Sequence, residues 1–88
     1  MNSAIELAID MDNAVSHPHV DNFTVLLLRL IIKADSDNTM LLRNGFPVEV
    51  KMVEIYKTRC PYKKEYVKDG FRFVDFDKMA KMAIEEAY

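Results

Sequence analysis

Two short stretches and one cysteine in this 88-residue chain carry the side-chain types that could do chemistry. The first stretch is His17-Pro18-His19-Val20-Asp21, with two imidazoles and a carboxylate at alternate positions. Imidazole nitrogen and carboxylate oxygen are ligands that zinc accepts, so His17, His19 and Asp21 form a metal candidate. Alternate spacing through a proline-containing connector does not set up a tetrahedron, and no second carboxylate or cysteine cluster accompanies it. The plainer reading makes Asp21 a helix cap and leaves both histidines in water. The second stretch is Asp35-Ser36-Asp37-Asn38, which begins like a calcium loop. It lacks the glycine and the distal glutamate of the twelve-residue pattern, so it reads as turn and cap. Cys60, with His17 or His19, would have the makings of a thiol nucleophile, but no signature surrounds it and a half-buried structural thiol is the simpler expectation. The acids sit mostly where helix caps or solvated faces are expected. No catalytic residue and no cofactor are therefore expected, and the chain reads as non-enzymatic.

Charge offers a binding surface instead. Net charge is −2, which argues against general affinity for polyanions. Residues 1–50 hold three cations and seven acids, a balance of −4, whereas residues 51–72 hold seven cations and three acids, a balance of +4. In the basic stretch, Lys57, Arg59, Lys63, Lys64, Lys68 and Arg72 interleave with Tyr62, Tyr66 and Phe71. These nine residues are the candidate partner-binding set. Cations among aromatics can also grip nucleic acid through phosphates and stacking. Residues 39–59 echo a helix-turn-helix, with Lys51 and Lys57 as the cations of its second helix, but Glu49 and Glu54 balance them. Solvated lysines around core aromatics are the plainer alternative.

The elements that must position these residues follow from periodicity and caps. Residues 21–34, DNFTVLLLRLIIKA, place eight apolar side chains between Phe23 and Ile32. Arg29 and Lys33 repeat at a helical interval, and leucine predominates over β-branched types, so a helix is expected. A helix apolar on nearly every side belongs in the middle of a bundle. The run is too short and too charged to cross a membrane. Ser3 to Glu6 reads as a capping box opening a helix that must stop before Pro18. Its inner stripe is Ala4, Leu7, Ala8, Met11, Ala14 and Val15, widened by Ile5 and Ile9. A short helix over 39–44 ends with Gly45 in the left-handed position, and Pro47 starts the next helix, which Pro61 stops. Alternation around Asp69-Gly70 favours a small β-hairpin at about 63–75 over an extended loop. Asp75 or Asp77 caps a final helix with Phe76, Met79, Ala80, Ala83, Ile84 and Ala87 on one face. The expected fold is mainly α: a single domain over 1–88, a compact bundle of four to five short helices around a central apolar helix.

Asp21-Asn22-Phe23-Thr24, Lys33-Ala34-Asp35 with Asn38, and Gly45-Phe46-Pro47-Val48-Glu49-Val50 together resemble small uncharacterised proteins of bacteriophages and related mobile elements. The likeness spans roughly residues 19–57 and rests on caps and turns, so it transfers no functional residue. It implies an accessory protein acting inside the bacterial cell by binding and blocking a host protein, including defence factors. The lone cysteine and the lack of a recognisable secretory signal agree with a reducing, cytoplasmic setting. A protein partner is expected ahead of nucleic acid, no membrane is expected, and the final helix is the first candidate for homo-oligomer formation.

Overall fold

The computed structural model describes residues 3–59 and 75–88. They form five helices: α1 (Ala4–Ser16), α2 (Phe23–Lys33), α3 (Ser36–Gly45), α4 (Pro47–Thr58) and α5 (Phe76–Glu86). No strand occurs among the described residues. The hairpin expected at about 63–75 lies outside them but for Asp75, which caps α5 by accepting a hydrogen bond from the Lys78 N–H at 3.0 Å. Cys60 and Pro61 lie outside them as well.

Four of the five helices start at a side chain that satisfies one of the first free N–H groups, and α4 instead starts on Pro47, which has no N–H to satisfy. Ser3 Oγ accepts from Glu6 N at 3.2 Å, and Asp35 Oδ1 accepts from Asn38 N at 2.8 Å. For α2 the cap is Asn22, whose Oδ1 accepts from Val25 N at 3.0 Å; Asp21, the expected cap, precedes it and is exposed. Starting α3 at Ser36 makes Ser36-Asp37-Asn38 its first turn, three residues earlier than the apolar pattern suggests. Gly45 is the last residue of α3 and is not left-handed, because Phe46 makes the break. Phe46 (φ −136°, ψ 62°) closes α3 and precedes Pro47 at the head of α4.

Four helices enclose the core as a ring. α1 packs on α2 and α5, and α4 packs on α2 and α5 from the other side. Leu7, Ala8 and Met11 come from α1; Leu27, Leu28 and Ile31 from α2; Val50, Met52, Val53 and Ile55 from α4; Met79, Ala80 and Ala83 from α5. No polar or charged residue is buried among the described residues. The alanines let α5 approach α1 and α4 closely, so the stripe expected to pair with a second chain is used within this one. α3 lies outside the ring against α4 and has no buried residue.

This ring changes the reading of α2. It is one wall of four and not an enclosed axis: Phe23, Leu26 and Leu30 are exposed on its outer side. Ile5 and Ile9, expected to broaden the inner stripe of α1, also face out.

Candidate interaction surface

The sequence-derived metal candidate does not converge. His17, His19 and Asp21 are all exposed. His17 Nε2 stands 3.7 Å from Asp12 Oδ2, a residue of α1, and its ring meets that of His19 edge-on at 6.1 Å. No group of three metal-ligating side chains forms among the described residues.

Of the nine basic and aromatic residues expected to bind a partner, Lys57 and Arg59 are described; Tyr62, Lys63, Lys64, Tyr66, Lys68, Phe71 and Arg72 lie outside the described residues. Arg59 is engaged within the chain. Its Nη1 and Nη2 donate to the two carboxylate oxygens of Glu86 at 2.9 and 2.7 Å, tying the end of α4 to the end of α5. This bond lowers the Glu86 pKa from its ordinary value and raises that of Arg59, against opposing desolvation. With the folded pKa of Glu86 depressed, the pair's contribution is present above the unfolded glutamate range and is lost as pH falls through the folded value. Both groups are solvated, so the contribution is small. Glu86→Gln should therefore leave stability at neutral pH nearly unchanged and flatten its decline in acid. Urea midpoints at pH 7 and pH 4 check this, and an equal loss at both pH values would contradict it.

The helix-turn-helix expectation meets a similar obstacle. α3 and α4 are separated by the single residue Phe46, not by a three- or four-residue turn. Lys51 Nζ sits 3.3 Å from Glu54 Oε2, and Arg43 Nη2 donates to Glu54 Oε1 at 3.0 Å. Glu54 Oε2 has no hydrogen-bond partner of good geometry, so the nearby Lys51 charge is what compensates its burial. Two cations of the α3–α4 unit thus face a carboxylate of their own chain.

The surface that does assemble is apolar, on the outer side of α2 and α3. Asp35 begins α3 just after α2 ends, and the Phe23 and Phe46 rings meet at 6.1 Å near the opposite end. The start of α2 and the end of α3 therefore lie near one another, although these two helices are not a closely packed pair. Between them lies an open groove of about 530 Å³ lined by Leu30, Lys33, Ala34, Asp35, Asn38, Leu41 and Leu42. Of its lining, Leu30 and Leu41 (68% exposed) are large exposed apolar side chains, and Phe23 (71% exposed), Leu26 and Met40 are exposed elsewhere on the same two helices. Five large apolar side chains at half exposure or more fall on these two successive helices, which is more exposed apolar surface than isolated single residues present. The rim is polar: Lys33, Asp35 and Asn38 can fix register while the apolar floor supplies affinity.

The signal for this surface was present in the sequence but hidden. Phe23, Leu26, Leu30 and Lys33 are spaced three, four and three, a second stripe on the same helix as Leu27, Leu28 and Ile31. Two stripes on one short helix look like one continuous apolar wrap until packing partners are known. Compared with known proteins, the chain matches no family model, no curated protein and no solved structure.

Proposed function

We propose that this protein is a small non-enzymatic interaction module whose working surface is the outer face of α2 and α3. The observation that carries this reading is the exposed row Phe23, Leu26 and Leu30 on α2, with Leu30 and the exposed Leu41 of α3 lining the groove. Apolar walls with a short polar rim suit recognition of another protein's apolar side chains. The resemblance to small phage and mobile-element proteins favours a bacterial host or defence protein as the target and the host cytoplasm as the setting.

The test is a pull-down from bacterial lysate with the wild-type chain and with the double variant Leu26→Glu/Leu30→Glu. Both positions are more than half exposed, so the variant should keep its helical circular dichroism. A stoichiometric protein retained by wild type and lost by the variant is the expected result. An empty wild-type capture, or a partner indifferent to both substitutions, would remove the reading. Duplex DNA binding through residues 39–59 has less support, because Lys51 and Arg43 face Glu54.

A further inference from the structure

We propose that Asn44-Gly45, at the end of α3, is a site of spontaneous covalent modification: Asn44 converts to aspartate and isoaspartate when the last turn of α3 opens. This chemistry is independent of what the outer face of α2 binds.

The chain has five asparagines, and the residues that follow them are Ser3, Ala14, Phe23, Thr39 and Gly45. Only Gly45 has no Cβ to screen its backbone nitrogen. That nitrogen, once deprotonated, can attack Asn44 Cγ. The N–Cγ bond forms, the Cγ–Nδ2 bond breaks, and ammonia leaves behind a cyclic imide. Water opens the imide at the side-chain carbonyl to give aspartate, or at the main-chain carbonyl to give isoaspartate. The balance is asparagine plus water to a carboxylic acid plus ammonia, with no oxidant and no cofactor.

The structure supplies access. Asn44 and Gly45 are exposed, and no hydrogen bond among the described residues holds the Asn44 side chain. Nothing in the fold asks for glycine at 45: its φ is not left-handed, and an added Cβ would meet nothing within 4 Å. Glycine at an ordinary helical position is less stable than alanine, so it loosens the turn that it ends. α3 packs on α4, has no buried residue, and sets only Leu42 against the core. While the turn is helical, the Gly45 nitrogen is out of line with Asn44 Cγ, so the reaction waits for opening. A helix held this lightly opens locally, without unfolding of the domain.

The product changes α3. A carboxylate in its last turn opposes the helix dipole and stands next to Arg43, which donates to Glu54 of α4 at 3.0 Å. Isoaspartate also lengthens the main chain by a methylene, so the last turn cannot re-form in register. The hold of α3 on α4 therefore weakens as the molecule ages.

Full-length protein held at neutral pH and physiological temperature, followed by peptide mass mapping and isoaspartyl methyltransferase labelling, reads the conversion. Mapping separates Asn44 from Asp69-Gly70, whose isomerisation leaves the mass unchanged. The rate at Asn44 should be about 3 to 100 times slower than in a free peptide of residues 40–50, the margin of a fraying helix end, and should rise with pH. Slowing beyond about a thousandfold would place the reaction in the globally unfolded chain and overturn the inference. Gly45→Ala, which the open space tolerates, should slow conversion at least about tenfold, and an unchanged rate would overturn it. Leu42→Ala should speed conversion about threefold or more by loosening α3, whereas Leu28→Ala, which lowers global stability, should leave it unchanged. Equal acceleration by both variants, or by neither, would overturn the local opening.

Discussion

Leu28→Ala should lower the unfolding free energy by about 3 kcal/mol, read from urea denaturation. Leu28 is completely buried and belongs to the cluster that α1, α4 and α5 close around. Truncation removes its transfer free energy and leaves a void that the neighbours fill only in part. A domain of this size has a total stability of about 5 to 10 kcal/mol, so the loss is a large share of it. Leu26→Ala, two residues earlier on the same helix, should change the stability of the isolated chain by less than about 0.5 kcal/mol, because Leu26 is half exposed. The comparison tests which way α2 faces. Equal losses at the two positions would mean that both sides of the helix are enclosed, and the proposed surface would vanish.

Arg29→Ala should cost about 2 kcal/mol and lower the melting temperature by about 10 °C. Three carbonyls at the end of α1 accept from this guanidinium. Nε donates to Ala14 O at 3.2 Å, and Nη2 donates to Asn13 O at 3.2 Å and to His17 O at 2.7 Å. Ala14 O faces Pro18, which has no N–H to give it, whereas Asn13 O also accepts from the His17 N–H and His17 O from the Val20 N–H, so the guanidinium adds a second donor to each of those two. α1 has no basic residue in its own last turn, so Arg29 supplies from α2 the positive charge that favours a helix C-terminus. Arg29→Lys keeps the charge but loses the planar fork, and should recover less than half of the loss. Thermal melts of the two variants decide it. Full recovery with lysine would assign the effect to charge alone, and no loss with alanine would mean that water serves the carbonyls equally well.

The parts of the fold legible in the sequence are those governed by neighbours in the chain. The Ser3 N-cap, the Pro18 stop, Pro47 at the head of α4 and the Met79–Ala80–Ala83 stripe of α5 all involve residues within a turn or two of each other. What escaped depends on distance. In the sequence Arg29 shows only a helical repeat with Lys33, because its acceptors lie 12 to 16 residues away. The outer stripe of α2 was read as core because apolar residues facing a partner and apolar residues facing the chain's own interior have the same composition. Arg59 was expected to serve a partner because Glu86, which engages it, lies 27 residues further on. Asn22 displaced Asp21 as the cap by one position, a choice that local propensity does not separate.

The placement of α3 outside the ring has an evolutionary corollary. Only Leu42 of this helix packs against the interior, so substitutions at the exposed Met40 and Leu41 are released from the constraint that holds the other four helices. Under the proposed function, lineages of this protein could change what they recognise along that one helix while the four-helix scaffold stays the same.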